Sequence, residues 1–199
     1  MTCPLEQKPR YQKDTNVKQH KITKEYKSID KILSLIPNGH VLDIAGAEGF
    51  IAYLAALCGH SAVNVEIDKG RVLRGLKYFG THANLTILEK DIFDELDMLD
   101  YFNIFIVARF FHNIGMKKSI ELMDAIDKKE DYILIVKYKP GLKKETGAPR
   151  EPLATKRGIK SLLEQYNLKK KSFPQEVIVA AKGKYEGIPD MLRKHLPEG

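Results

Sequence analysis

The segment Val41 to Phe50, VLDIAGAEGF, closes an apolar run with an acid and then breaks into small residues. Such a run reads as a buried strand turning sharply into a helix, the point at which open α/β sheets bind nucleotide-like ligands. Small side chains let the backbone come close to a ligand, and Gly46 and Gly49 can adopt conformations closed to other residues. A second acid, Glu66, stands 20 residues beyond Gly46 at the end of the next apolar run, AVNVEI. Its carboxylate can accept hydrogen bonds from two ribose hydroxyls, so the pair of segments points to a ligand with an adenosine-type ribose.

The elements that must position these residues alternate along the chain. Ser28 is the expected N-cap of a helix whose apolar residues Ile29, Ile32, Leu33 and Ile36 share one face, and Pro37-Asn38-Gly39 ends it. Strands are expected at 40–45, 62–67, 85–88, 103–108 and 132–138, with helices at 51–57, 72–79 and 120–126 between them. This alternation implies a mostly parallel sheet covered by helices on both faces. The Pro- and Gly-rich stretch from Lys139 to Arg157 reads as a long loop, followed by a helix near 156–166. LKKKSF and EVIVAAKG, separated by Pro174-Gln175, read as a terminal antiparallel pair. The expected division is a basic N-terminal arm at 1–25, one domain at 26–185 and a C-terminal tail at 186–199.

At 199 residues and 43% hydrophobic, the chain can bury one substantial core. Its apolar stretches are strand-sized, so neither a membrane span nor a secretory leader is expected, and a cytoplasmic location follows. Cys3 and Cys58 lack a CxxC or HxxxH companion, which leaves no expected metal site or disulfide framework. The net charge of +7 is unevenly spread. Residues 1–31 carry eight basic against four acidic side chains and residues 137–171 eleven against three, so the remainder is acidic. Two basic segments flanking an acidic core suit a polyanionic partner, RNA above all, although a solvated lysine-rich surface would give the same pattern.

These residues resemble the class I S-adenosylmethionine-dependent methyltransferases, a Rossmann-like α/β family with a seven-stranded sheet whose last strand is antiparallel. The likeness spans about residues 26–184. VLDIAGAEGF matches the family's first motif at Asp43 and Gly49, with Ala45 and Ala47 in place of two glycines. The resemblance implies S-adenosylmethionine as cofactor. Asp43, Ala45, Gly46, Ala47, Gly49 and Phe50 would hold its methionine part, Glu66 and Ile67 its ribose, and Asp91 and Ile92 of LEKDIFDEL its adenine; Ala108 would complete the set. A dinucleotide-dependent oxidoreductase also pairs a glycine loop with a later acid, but GAEG lacks the GxGxxG spacing.

Within the family the chain is most similar to the FtsJ-like ribose 2′-O-methyltransferases, RNA-modifying enzymes with a Lys-Asp-Lys-Glu tetrad around the target hydroxyl. EYKSIDKI, ILIVKYKPG and QEVIVAAKG would supply Lys27, Lys137 and Glu176 as the lysines and the glutamate. The aspartate is absent, because the fourth strand runs into IVARFFHNIG and places Arg109 there. A lysine helps deprotonate a ribose hydroxyl only if its own pKa is lowered by burial or a neighbouring cation, and Arg109 would supply that cation. His112 is a further acid–base candidate for an acceptor other than ribose.

Three functions therefore stay open. The first is methyl transfer to RNA, with Lys137 and Glu176 near the acceptor and segments 1–31 and 137–171 gripping phosphates. The second is a methyltransferase acting on a small molecule or protein through Arg109 and His112. The third, motivated by the two alanines and the missing aspartate, is a catalytically silent fold that binds RNA or protein.

Overall fold

The computed structural model describes residues 19–138, 153 and 155–196. Most of the expected basic arm lies outside the described residues, as does the expected loop from Lys139 to Arg157 apart from residues 153 and 155–157, the last two of which open a helix.

Helix α1 (Gln19–Leu35) buries Ile29, Ile32, Leu33 and Ile36, the spacing that puts four side chains on one helical face. It begins nine residues before Ser28, so Ser28 is not its N-cap. Instead the Ser28 N–H donates to Gln175 Oε1 at 2.9 Å. Alternating elements follow: β1 (His40–Ile44), α2 (Phe50–Leu57), β2 (Ser61–Glu66), α3 (Lys69–Phe79), β3 (Leu85–Glu89), β4 (Ile104–Ala108), α4 (Phe111–Asp127) and β5 (Tyr132–Lys137). After the long connection come α5 (Lys156–Glu164), β6 (Lys169–Phe173), β7 (Val177–Lys182) and α6 (Ile188–Arg193). Helix α4 starts earlier than the apolar pattern suggests, because a first turn at Phe111 is separated from the rest by Gly115, whose φ of 72° interrupts the helical path. Helix α6 packs on β6 and β7, with Leu192 wholly buried.

The strands form one seven-stranded sheet in the order β3-β2-β1-β4-β5-β7-β6. Only β7 runs against the others, lying between β5 and β6. One face packs on α1, α2, α3 and α6, the other on α4 and α5. The central strands β1, β4, β5 and β7 are buried along almost their whole length, as apolar runs in a doubly covered sheet must be.

Register decides what meets at the carboxyl ends. Asp43 of β1 stands opposite Asn64 of β2, and Ala108 of β4 opposite Lys137 of β5, which faces Val177 of β7. The N–H of Arg109 donates to the Lys137 carbonyl at 2.7 Å, and the N–H of Tyr138 donates to the Glu176 carbonyl at 3.0 Å. Arg109, Lys137 and Glu176 are thus adjacent in space though far apart in sequence.

Gly75 lets α3 lie directly against the β1–α2 loop: a Cβ there would sit 2.4 Å from the Glu48 carbonyl oxygen, a backbone atom that cannot swing aside. Gly75→Ala should therefore lower stability by about 1–3 kcal/mol in urea denaturation, the usual cost of overpacking. An unchanged midpoint would show that α3 can slide without strain.

Candidate active site

The β1–α2 loop carries backbone strain at alternate residues. Ala45 (φ 52°), Ala47 (φ 54°) and Gly49 (φ 81°) are all left-handed. Glycine adopts this region freely, whereas alanine does so at roughly 1–2 kcal/mol. The surroundings hold Ala47 in place from both sides: its N–H donates to Glu66 Oε2 at 3.0 Å, and its carbonyl accepts from Asn64 Nδ2 at 3.2 Å. The N–H of Gly49 donates to the Gly46 carbonyl at 2.9 Å and closes the turn. Gly46 has no room for a side chain, since a Cβ would lie 2.2 Å from Asn64 Oδ1 and 2.3 Å from Asp43 Oδ2.

Asp43 is fully buried at the start of α2, where Oδ2 accepts from the Ala52 N–H at 3.2 Å. Oδ1, like Asn64 Oδ1, has no hydrogen-bond partner among the described residues. Burial, opposed by the Ala52 hydrogen bond and reinforced by the Glu66 charge, pushes the Asp43 carboxyl up to about 7. A buried acceptor without a partner beside a strained, closely approached loop is a site suited to a ligand with a donor or positive group.

The loop forms one wall of a cleft of about 720 Å³, a size that accommodates a nucleoside-sized ligand. Ala45, Gly46, Ala47, Phe50, Glu66, Ile67 and Ala108 all line it. Asp43 and Gly49 are buried behind this wall. Ile67 is 64% exposed, a large apolar side chain left uncovered at the mouth. A smaller adjoining cleft shares Ala45 and Ile67 and adds Asp91 and Ile92. Asp91 Oδ1 accepts from the Phe93 N–H at 3.0 Å and so starts the short 3₁₀ turn Ile92–Asp94.

Lys137 is the second centre. Its side chain is wholly buried, with Nζ donating to the Gln175 carbonyl at 2.7 Å and lying 3.5 Å from Glu176 Oε2. The ammonium also stands 5.8 Å from the centre of the Tyr26 ring. Burial first and the Arg109 charge second lower its pKa, partly opposed by Glu176. Arg109, Gln175 and Glu176 each adopt left-handed φ values of 59–61°, so the three residues around this lysine are held in costly conformations.

Lys27 and His112 do not join this cluster. Lys27 is exposed on α1, and its neighbour Tyr26 is the residue that lines the cleft, because one step along a helix rotates a side chain by about 100°. His112 lies half-buried in the first turn of α4, while Phe110 and Asn113 on either side line the cleft. Sequence reasoning misses Asn64, Gln175 and two arginines. Arg71 Nη1 lies 3.6 Å from Glu66 Oε2, and Arg74 Nη2 lies 3.0 Å from Glu48 Oε1. Asn64 is visible as the lone amide in an apolar strand. The arginines carry no such signal, since basic residues at i and i+3 on a surface helix are common.

No protein-family model matches the chain, and no curated protein is significantly similar to it in sequence. Solved structures match at the level of fold. A SAM-dependent methyltransferase from Aquifex aeolicus superposes with a TM-score of 0.54 at 15% identity, over 78% of this chain and 87% of its own. Magnesium protoporphyrin IX methyltransferase from Synechocystis, solved with bound SAM, gives 0.56 at 12% identity, over 87% and 90%. The fold is that of the S-adenosylmethionine-dependent methyltransferases. WbdD, crystallised with a kinase inhibitor, matches with a TM-score of 0.55 at 16% identity, over 85% of this chain and 41% of that longer protein.

Two outcomes follow from the loop. Ala47→Gly should raise stability by about 1 kcal/mol in chemical denaturation, by removing the left-handed penalty; a loss would mean that the alanine methyl makes an offsetting contact. Asp43 has a folded pKa above its unfolded value, so folding favours the protonated form. The stability this provides is full below about 4 and is lost as pH rises to about 7. Thermal melts of Asp43→Asn against wild type should show the variant gaining relative stability across that window, and a difference independent of pH would contradict the assigned shift.

Proposed function

We propose that the chain is an S-adenosylmethionine-dependent methyltransferase acting on RNA, with a ribose 2′-hydroxyl as acceptor. The observation that carries the cofactor assignment is the left-handed loop at Ala45, Ala47 and Gly49, hydrogen-bonded to Glu66 on the same wall of the cleft. The loop backbone would hold the methionine portion, with the free Asp43 oxygen behind it. Glu66 retains lone pairs after accepting from the Ala47 and Asp68 N–H groups, and these would take the ribose hydroxyls, with Arg71 giving way. Ile67 and Ile92 would cover the faces of the base, and Asp91 would meet its polar edge. Bound there, the cofactor would supply an electrophilic methyl group whose bonding electron pair returns to the sulfonium sulfur.

The chain's own contribution is alignment and proton removal. Lys137 accepts the acceptor hydroxyl's proton in its neutral form, which burial and Arg109 make accessible. Glu176 and the Gln175 carbonyl then stabilise the ammonium that results. Tyr26 and Phe110 line the cleft, Tyr26 with its ring centre 5.8 Å from the Lys137 ammonium, and would offer aromatic faces to a base. Basic segments 1–31 and 137–171 would hold the phosphates. A second reading has support in the complete burial of Lys137: an acceptor on a small molecule or protein would be oriented by Arg109 at the cleft wall and need no base.

Calorimetric titration with S-adenosylhomocysteine should give saturable binding, weakened about tenfold or more by Ile67→Asp, a change at an exposed side chain that leaves the loop hydrogen bonds intact. No binding by the wild type would overturn the cofactor assignment. With labelled S-adenosylmethionine and an unmodified transcript pool, methylated positions should resist alkaline hydrolysis, since the 2′-hydroxyl is what attacks the phosphodiester. Lys137→Ala should abolish that incorporation and leave S-adenosylhomocysteine affinity unchanged; undiminished turnover would support the second reading.

A further inference from the structure

The exposed edge of the sheet carries a second concave site, separate from the cofactor cleft. A groove of about 330 Å³ wraps around edge strand β6 between α5 and α6, which pack on opposite faces of the sheet. Lys156 and Lys160 reach it from α5, Lys170 and Lys171 from β6, and Arg193 from α6, against a single lining acid, Glu164. Lys171 also pairs with Asp190 at 3.1 Å. Lys156 opens α5, whose first turn contains no acid. On the groove wall Ser172 Oγ is buried without a hydrogen-bond partner among the described residues, a hydroxyl able to donate to an oxyanion.

Lysines on an edge strand also discourage pairing with other sheets. That role accounts for Lys169 to Lys171, but it does not require cations from two helices on opposite faces to converge on the same groove. Convergent cations with a free hydroxyl are the chemistry of phosphate recognition. Position agrees. Strand β6 is parallel to β5, so the Ser172 end of the groove opens at the same end of the sheet as Lys137. Their backbones lie two strand spacings apart, about 10 Å, with Ser172 on the α5 face of the sheet and Lys137 on the α1 face, so a strand joining them crosses the carboxyl edge. An extended single strand of a few nucleotides can lay its phosphates in the groove while one ribose reaches the lysine.

We infer that this groove is a phosphate-binding track for single-stranded RNA, resting on the reading of RNA as the acceptor. The β6–β7 turn joins the two sites physically, for it carries Gln175 and Glu176 at one end and follows Lys171 and Ser172 at the other.

Fluorescence anisotropy with a labelled twelve-nucleotide RNA, titrated over a range of salt, tests the track. The triple variant Lys156→Ala, Lys160→Ala, Lys170→Ala should bind at least tenfold more weakly. Its slope of log K against log salt should be shallower by roughly 2, at about 0.7 for each phosphate no longer neutralised. A control triple at exposed lysines elsewhere, Lys77→Ala, Lys117→Ala, Lys128→Ala, removes the same charge and should change neither strongly. Equal losses in the two triples would overturn the track and leave RNA binding as a property of overall charge. Competition by poly-glutamate as strong as that by unlabelled RNA would overturn it in favour of an acidic peptide, and wild type that fails to bind RNA would remove the track and the RNA acceptor together. S-adenosylhomocysteine titrations on the same samples keep the readings apart: both triples should retain wild-type affinity, and RNA binding through the groove without cofactor binding would leave the track standing while the methyltransferase assignment falls.

Discussion

Everything at the carboxyl edge of the sheet rests on one stretch of backbone, Ala45 to Gly49, held left-handed at every second residue against the preference of two alanines. Hydrogen bonds from outside the loop hold it: Glu66 and Asn64 grip the Ala47 peptide from the neighbouring strand, while packing around Gly46 and Gly75 leaves the loop nowhere else to go. Glu66 therefore has two partners to satisfy, the loop and any ribose in the cleft. A carboxylate has lone pairs enough for both, which is why the same acid can shape the site and read the ligand.

The second centre follows a different logic. Lys137 ends a strand that is otherwise wholly apolar, and a buried ammonium is costly unless its protons are bonded. The antiparallel strand β7 meets this need by bringing Gln175 and Glu176 into a turn directly over the lysine, at the cost of two left-handed residues. Gln175 ties that turn to α1 as well, through Ser28, so the helix bearing Tyr26 and the turn bearing Glu176 are held against one another. Arg109 and Lys137 are two cations that both feel the Glu176 carboxylate; burial and the Arg109 charge lower the Lys137 pKa, and Glu176 opposes that shift.

Legibility differs between these parts for physical reasons. The fold can be read because apolar runs at strand length and apolar faces at helical spacing are local signals, and they yield the seven strands and the covered faces. The small-residue loop at one wall of the cleft is legible too, since Asp43 and Glu66 stand at the ends of apolar runs at a spacing set by one βαβ unit. The start of helix α1 is hidden, because residues 19–27 set only Ile22 and Tyr26 among polar neighbours, too few to mark a helical face. Sequence favours Lys27 over Tyr26, since a one-residue choice on a helix needs the rotation angle of the packed element. Arg71, Gln175 and the convergence of α5 and α6 on β6 are invisible, each resting on proximity across many residues of intervening chain.

Element types, the parallel sheet with its one antiparallel strand, and the small-residue loop followed by an acid are written in the chain itself. These depend on hydrophobic period and on local steric freedom, which are properties of a few neighbouring residues. The left-handed backbone at Ala45 and Ala47, the burial of Lys137 under Gln175 and Glu176, and the sharing of one groove by five cations come from tertiary packing alone. They depend on strand register and on which helix face is covered, quantities that exist only once distant segments have packed together.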